Sequence, residues 1–294
     1  MRNRATHGPL STVPELNRTL RFARMEAQQS EADTKPYFTS GERLVEFLRM
    51  KVVGGLDDLT NLKRASRSIR RSDFMAVACE QLVLLNALER LMSLAAWARR
   101  VESEAVLVEA LVRERLLDEL EIDYSLVPRV WWYLEPAIAA TSQEPSPTLR
   151  REVLATAGPN CYVCGEALVA GDSTVDHVWP RSLGGESVYE NLLPCCGTCN
   201  SHRGNTLNWA RAWFQALSAP PEPNVSEQQA FGLVKTRIAG LYFRAFLRSR
   251  ESGQSMRDSL LHVGPCVDHD LSDSQAPLDF FRFACLPDPD ALFA

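Results

Sequence analysis

The segment from residue 161 to residue 204 reads CYVCGEALVAGDSTVDHVWPRSLGGESVYENLLPCCGTCNSHRG. Two Cys-x-x-Cys pairs stand near its ends, Cys161 with Cys164 and Cys196 with Cys199. Such pairs supply the four thiolates that a tetrahedral structural zinc site requires, and the simpler alternative is four buried thiols that fall in pairs by chance. Because a closed four-thiolate site leaves no open position for a substrate, this zinc is expected to stabilise the fold. Any catalytic groups should then lie between the pairs.

The chain contains eight cysteines. In a reducing compartment, regular pairs indicate metal binding, whereas scattered cysteines are usually buried thiols. Cys195 stands directly before Cys196, but only Cys196 has the two-residue spacing to Cys199. We therefore predict that Cys195 is not a ligand.

The residues between and just after the two pairs follow a recognisable order. They are Asp176-His177, Pro180, Gly184-Gly185, Asn191-Leu192 and, directly after the last cysteine, Asn200. This order resembles the HNH, or ββα-metal, endonuclease family. The resemblance covers about 50 of the 294 residues. It implies two strands and a helix held together by zinc, and a reaction that hydrolyses phosphodiester bonds.

The resemblance also implies roles for individual residues. His177 would be the general base, since a neutral imidazole can take a proton from water near pH 7. Asp176 and Asn200 would be oxygen ligands of a catalytic Mg²⁺ or Mn²⁺ ion. Asn191 would tie the connecting loop and help to orient the histidine, although an ordinary loop-capping asparagine explains it almost as well.

Three further residues are expected to contact the substrate. Arg181 and Arg203 flank the motif and could each grip two phosphate oxygens. His202 precedes Arg203 and could reach the site or a phosphate. The chain departs from a common form of the family at Asn200, often a histidine, and at Arg203, often a lysine, which leaves the preferred metal open.

The rest of the chain predicts a mainly α protein. Apolar residues at three- and four-residue steps between residues 41 and 122 indicate a bundle of helices. The predicted organisation is listed in chain order: a polar arm (1–40), a helical domain (41–140), a linker rich in Ser, Thr and Pro (141–148), the zinc-stapled ββα-metal (HNH) module (149–217), and a C-terminal helix followed by an acidic tail (225–294).

Composition narrows the location and the partners. No stretch approaches the roughly 20 apolar residues of a membrane span, and the first 30 residues lack the apolar core of a signal peptide, so a cytoplasmic protein without membrane contact is expected. The net charge of -5 argues against a polyanionic partner, but local basic patches matter more than the total.

Two hypotheses of different classes follow. The first is a metal-dependent HNH endonuclease acting on nucleic acid, with DNA as the expected substrate. The second is a non-catalytic zinc-ribbon module that binds nucleic acid or a protein, which leaves Asp176 and His177 unexplained. By analogy with stand-alone HNH proteins, the helical domain could bind a regulatory protein partner in a restriction or anti-phage defence nuclease.

Overall fold

The computed structural model describes residues 39–51, 71–120, 122–169, 171–218 and 225–265, together with 278, 280 and 281. The predicted polar arm, apart from its last two residues, and nearly all of the acidic tail lie outside this part of the chain. The helices are α1 (Ser40–Lys51), α2 (Arg71–Val101), α3 (Ala105–Leu120), α4 (Val127–Ala140), α5 (Pro147–Thr156), α6 (Gly197–Arg203), α7 (Trp209–Leu217), α8 (Val225–Ser252) and α9 (Met256–Val263), and the strands are β1 (Ser173–His177) and β2 (Leu192–Cys196).

The prediction of a mainly α protein with a small ββα module and C-terminal helices is confirmed. Strands β1 and β2 pair antiparallel, with Ser173 opposite Cys196 and His177 opposite Leu192. Helix α6 follows β2 without an intervening loop. His177 at the end of β1 and the cysteines around the start of α6 thereby belong to one compact unit.

Helix α2 joins two hydrophobic cores. Near its start, Phe74 packs with Trp209 and Phe243 in a core shared by the module and the C-terminal helices. Further along, Leu88 and Leu91 belong to a core formed mainly by α1, α3 and α4. The 31 residues of α2 span about 45 Å at 1.5 Å per residue, so one continuous rod connects the module to the helical region.

A loop of the module enters the helical core. Trp179 and Leu183 pack in that core, and the Trp179 indole donates to the Leu183 carbonyl at 2.7 Å. The backbones of Gly41 in α1 and Gly184 meet in a hydrogen bond of 3.0 Å. A Cβ on Gly41 would lie 2.1 Å from the Leu183 carbonyl oxygen. The close approach of α1 to this loop therefore requires glycine at position 41.

The start of α1 is a capping box that also holds the module. The Thr39 backbone amide donates to the Glu42 carboxylate at 2.7 Å, and the Glu42 amide donates to the Thr39 hydroxyl at 3.2 Å. The Glu186 carboxylate, from the module, accepts the Ser40 amide at 3.0 Å and the Ser40 hydroxyl. Two carboxylates thus satisfy donors that the first turn of a helix leaves free.

Among the helices of the described residues, none combines the length and the apolar character that crossing a membrane would need.

Glu42 predicts a pH-dependent stability. Burial raises its pKa from 4.5 to about 7, although the bonds from Thr39 act in the opposite direction. Because the folded protein holds this proton more tightly than the unfolded chain, the stability contributed by the group is present at low pH and is lost as the pH rises to about 7. The free energy of unfolding should fall by about 2–3 kcal/mol between pH 5 and pH 8 through this group.

Urea unfolding of the wild type and of Glu42→Gln at the two pH values measures this effect. The substitution should remove the loss, whereas Glu114→Gln, at an exposed position on α3, should leave it in place. An undiminished pH dependence in Glu42→Gln would show that another group is responsible.

Candidate active site and metal centre

Four cysteines converge at one end of the module. Cys161 and Cys164 lie on a tight turn closed by a hydrogen bond from the Gly165 amide to the Cys161 carbonyl at 2.9 Å. Cys196 ends β2 and caps α6, since its Sγ accepts the Cys199 amide at 3.4 Å. The four Sγ atoms all lie within 4.8 Å of one another. Zinc-thiolate bonds of about 2.3 Å place tetrahedral sulfurs about 3.8 Å apart, so the cluster is compatible with a zinc ion.

Burial and hydrogen bonds within the cluster shift the pKa values of these thiols. Hydrogen bonds from Cys195 and Cys199 lower the pKa of Cys161, whereas burial raises the pKa of Cys164 to about 11. The bond to Cys161, followed by burial, raises the pKa of Cys199 well above its ordinary value. Four thiolates this close repel one another, and a divalent cation is what allows all of them to ionise.

Cys195 lies beside the cluster but outside the four-sulfur group. It is buried opposite Thr174 in the β-ladder, and its Sγ is 3.8 Å from that of Cys161. Consecutive side chains of a strand point to opposite faces, so Cys195 and Cys196 diverge. The four cysteines that the spacing singled out are confirmed as a candidate metal site, and they do not include Cys195.

Asp176 and Arg203 form an ion pair in the interior of the module. Arg203 Nη1 lies 2.7 Å from Asp176 Oδ1, and the two residues are 1% and 3% exposed. Tyr162 donates its hydroxyl to Asp176 Oδ2 at 2.7 Å. Arg203 donates Nη2 to the Val178 carbonyl at 2.7 Å and Nε to the Tyr242 hydroxyl at 3.2 Å. Helix α8, which carries Tyr242, therefore contributes to the network around a predicted metal ligand.

Asp176 and Arg203 stabilise each other's charged form. Burial raises the pKa of the Asp176 carboxyl, and the charge of Arg203 and the hydroxyl of Tyr162 limit that rise. Burial alone would lower the pKa of Arg203, but Asp176 and the two tyrosines outweigh it and raise the pKa. Arg203 is therefore firmly cationic. Its donors face the protein, whereas the sequence predicted a phosphate clamp.

A buried lysine from α8 secures the end of α6. Lys235 Nζ donates to the Arg203 carbonyl at 3.0 Å and to the Thr206 hydroxyl at 2.5 Å. Burial, and then the charge of Arg203, lower the pKa of Lys235 to about 8. Because a positively charged group near the carboxyl end of a helix interacts favourably with the helix dipole, Lys235 stabilises the helix that carries Asn200.

His177 ends β1 and is half-buried. Its Nε2 lies 2.9 Å from the Ser187 hydroxyl. Burial, then the charges of Arg181 and Arg203, lower its pKa to about 4. The imidazole is consequently neutral at pH 7, which is the form that can accept a proton.

The two asparagines of the motif have different environments. Asn200 donates Nδ2 to the Thr174 hydroxyl at 3.0 Å, so its other amide atom, Oδ1, is the one that can act as a ligand. Asn191 is buried, accepts the Trp179 amide at 2.8 Å, and donates to the carbonyls of Trp179 and Glu186, both at 3.0 Å. It joins the two ends of the loop that follows His177. A residue that ties the connecting loop and an ordinary loop-capping asparagine both have this geometry, so the orienting role of Asn191 stays a prediction.

A cavity of about 920 Å³ contains most of the predicted site. The module contributes Asp176, His177, Arg181, Asn200 and Arg203, and the helical region contributes Glu89, Met92, Ser93 and Ala96 of α2. His202 is not among the described residues that line this cavity, and it packs edge-on against Phe231.

Three polar residues in or beside this cavity were not predicted from the sequence. Arg150 and Glu144 line it, and Glu144 pairs with both Arg181 and Arg150. Ser187 contacts His177 from the loop that Asn191 closes. Arg150 could have been considered as a basic residue just after the linker, whereas neither Glu144 nor Ser187 has a local signal in the sequence.

The comparisons with known proteins bear on this same segment. A family model described as HNH endonuclease matches residues 161–210. The similarity to the HNH endonuclease family covers 50 of the 294 residues. A search of curated proteins and a search of solved structures each found no match. The resemblance seen in the sequence is thus confirmed, and the module indicates nuclease activity on nucleic acid.

The cluster predicts different effects for two neighbouring cysteines. Cys196→Ser, and likewise Cys161→Ser, should lose most of the bound zinc and lower the melting temperature, because a structural metal contributes directly to folding. Cys195→Ala should keep its zinc. Elemental analysis of the purified variants, with calorimetry, tests this prediction. Zinc loss in Cys195→Ala together with retention in Cys196→Ser would reverse the assignment.

The two arginines of the HNH module should also differ. Arg203→Met leaves the Asp176 carboxylate buried without its cation and should lower the free energy of unfolding by about 3–5 kcal/mol. Arg181→Met removes an exposed pair with Glu144, for which about 1 kcal/mol or less is expected. Denaturant titration of the two arginine variants measures the difference in their free energies of unfolding. Equal costs would contradict a structural role for Arg203.

Proposed function

We propose that the protein is a metal-dependent endonuclease that hydrolyses phosphodiester bonds in nucleic acid, with DNA as its substrate. The observation that carries this proposal is the placement of Asp176, His177 and Asn200 on one cavity. Phosphodiester hydrolysis needs an activated water on one side of the phosphorus and a cation at the leaving oxygen on the other. A neutral imidazole can activate the water, and a carboxylate together with an amide oxygen can hold the cation.

His177 is the proposed general base. Its low pKa keeps the ring unprotonated at pH 7, so it can take a proton from a water molecule in the cavity. It lies at the end of a strand whose hydrogen bonds to β2 fix its backbone. A base held in this way does not have to be reoriented during the reaction.

Asp176 and Asn200 are the proposed ligands of a catalytic Mg²⁺ or Mn²⁺ ion. Asp176 accepts hydrogen bonds from Arg203 at Oδ1 and from Tyr162 at Oδ2, and a carboxylate oxygen has a further lone pair that can face a cation. Asn200 offers Oδ1, and the cavity leaves room for water and phosphate. Oxygen donors of this kind suit hard divalent cations. The ion would act as a Lewis acid on the phosphate.

The arginines have separate proposed roles. Arg181 is partly exposed at the cavity, and with Arg150 it surrounds the Glu144 carboxylate. A phosphate can take the place of a carboxylate between two guanidinium groups, so we assign substrate contact to Arg181 and Arg150. Arg203 is buried, and we assign it the positioning of Asp176.

The four-cysteine cluster is proposed to hold a structural zinc ion. Its sulfurs are compact enough for tetrahedral coordination, and all four protein ligands are thiols. Cysteines that remain thiols are typical of a reducing compartment, which supports the proposed cytoplasmic location.

A regulatory partner and a role in restriction or anti-phage defence are part of this proposal and rest on analogy with stand-alone HNH proteins. What supports a regulatory route is the contribution of α2 to the cavity. A protein that binds the helical region would act directly on residues beside the site. A non-catalytic binding module is the alternative, favoured by the internal pairing of the Asp176 carboxylate.

Cleavage assays test the nuclease. The purified protein should cut DNA in the presence of Mg²⁺ or Mn²⁺ and be inactive with EDTA, and supercoiled plasmid, linear duplex, single-stranded DNA and RNA define the substrate form. His177→Ala should lose about 10²- to 10⁴-fold in rate, the usual contribution of a general base. His262→Ala, at an exposed position on α9, should be fully active.

Both histidine variants should retain zinc and the wild-type melting temperature. Unaltered cleavage by a folded His177→Ala protein would remove His177 as the base. Absence of cleavage in the folded, zinc-loaded wild type on every substrate would favour the binding module.

A further inference from the structure

A chain of hydrogen bonds leads from the imidazole of His177 to the segment that precedes α5. His177 Nε2 is 2.9 Å from the Ser187 hydroxyl, and that hydroxyl donates to the Gln143 backbone carbonyl at 2.7 Å. Ser187 is 44 residues from Gln143 in sequence. These hydrogen bonds therefore connect the proposed base to a part of the protein outside residues 161–210.

The acceptor at the far end fixes the direction of the hydrogen bonds. A backbone carbonyl can only accept, so the single hydroxyl proton of Ser187 points to Gln143. The Ser187 oxygen must then accept a hydrogen bond from His177, which places the ring hydrogen on Nε2. In a neutral imidazole the other nitrogen, Nδ1, is left as the acceptor.

The residues at both ends of this series of hydrogen bonds are held in place. Next to Ser187, the Glu186 side chain binds the start of α1 and the Glu186 carbonyl accepts a hydrogen bond from Asn191. The Gln143 amide donates to the Ala140 carbonyl at 3.0 Å, at the end of α4. The Gln143 carbonyl also accepts Arg181 Nη1 at 3.3 Å. The hydrogen bonds through Ser187 thus join two backbone segments that are each held by further contacts.

We propose that Ser187, fixed by the Gln143 carbonyl, is a positioning residue that holds His177 in the tautomer with hydrogen on Nε2 and leaves Nδ1 to take the proton from water. This inference rests on the proposed nuclease function. It adds a residue of the loop between the strands and a backbone atom of the preceding segment to the machinery of the base. The simpler alternative is a serine that only closes the loop.

Nitrogen-15 NMR of histidine-labelled, full-length protein tests the tautomer independently of activity. The chain has five histidines, and the spectrum of His177→Ala identifies the signals of His177. At a pH where the ring is neutral, the wild type and Ser187→Thr should show protonated Nε2 and bare Nδ1. Ser187→Ala should show a mixture of the two tautomers, because its methyl group cannot accept the ring hydrogen.

Cleavage kinetics test the consequence. Ser187→Ala should lower kcat about 10- to 100-fold, a part of the 10²- to 10⁴-fold that a positioned base supplies, with KM within about twofold of the wild type. Ser187→Thr should restore most of kcat. The matched control is Ser142→Ala, which removes another serine that donates to a backbone carbonyl, that of Ala139 at 3.0 Å, without contact to His177. It should cleave at the wild-type rate.

The NMR spectrum and the cleavage rate distinguish a failure of the proposed function from a failure of the inference about Ser187. Wild-type inactivity on every substrate would count against the proposed function, while the spectrum would still report whether Ser187 sets the tautomer. An unchanged His177 spectrum in Ser187→Ala would overturn the inference. So would equal loss of kcat in Ser187→Ala and Ser187→Thr accompanied by lower stability in both, since that pattern belongs to a serine needed only for folding.

Discussion

The buried pair of Asp176 and Arg203 sets the relation between the strand that carries the proposed base and the helix that carries Asn200. Removing two charges from water costs several kcal/mol each, and the cost is recovered only when the remaining donors and acceptors are satisfied. Here Tyr162, Tyr242 and the Val178 carbonyl accept or supply the additional hydrogen bonds. The pair consequently favours one arrangement of β1 and α6 over others.

This arrangement extends beyond the segment with family resemblance. Tyr242 and Lys235 belong to α8, and they bind the side chain and the carbonyl of Arg203. On the other side, α1 holds the loop after His177 through Ser40 and Gly41. Residues 161–210 contain the proposed base and metal ligands, whereas α8 and α1, which lie outside that segment, contact the residues that hold these groups in place. Helices outside residues 161–210 therefore contribute contacts to the proposed site.

The sequence predicted those features whose determinants are close together along the chain. The cysteine pairs follow from two-residue spacings, and Asp176-His177 is a dipeptide in a recognisable order. The capping box Thr39 to Glu42 was equally readable, as a T-x-x-E pattern, and was missed. The role of Arg203 was not readable, because Tyr242, which helps to bury it, is 39 residues away. An arginine next to a catalytic motif looks the same in sequence whether it faces phosphate or carboxylate.

The compensation of Asp176 by Arg203 also bears on how a cation would be held in the proposed site. A carboxylate already paired with a guanidinium attracts a second cation less than a free one does, and Asn200 adds a neutral ligand. Magnesium commonly binds through one or two carboxylates together with substrate phosphate, and it keeps several waters. With a single compensated carboxylate, phosphate oxygens must supply much of the attraction for the ion. Bound nucleic acid would then strengthen the binding of the cation.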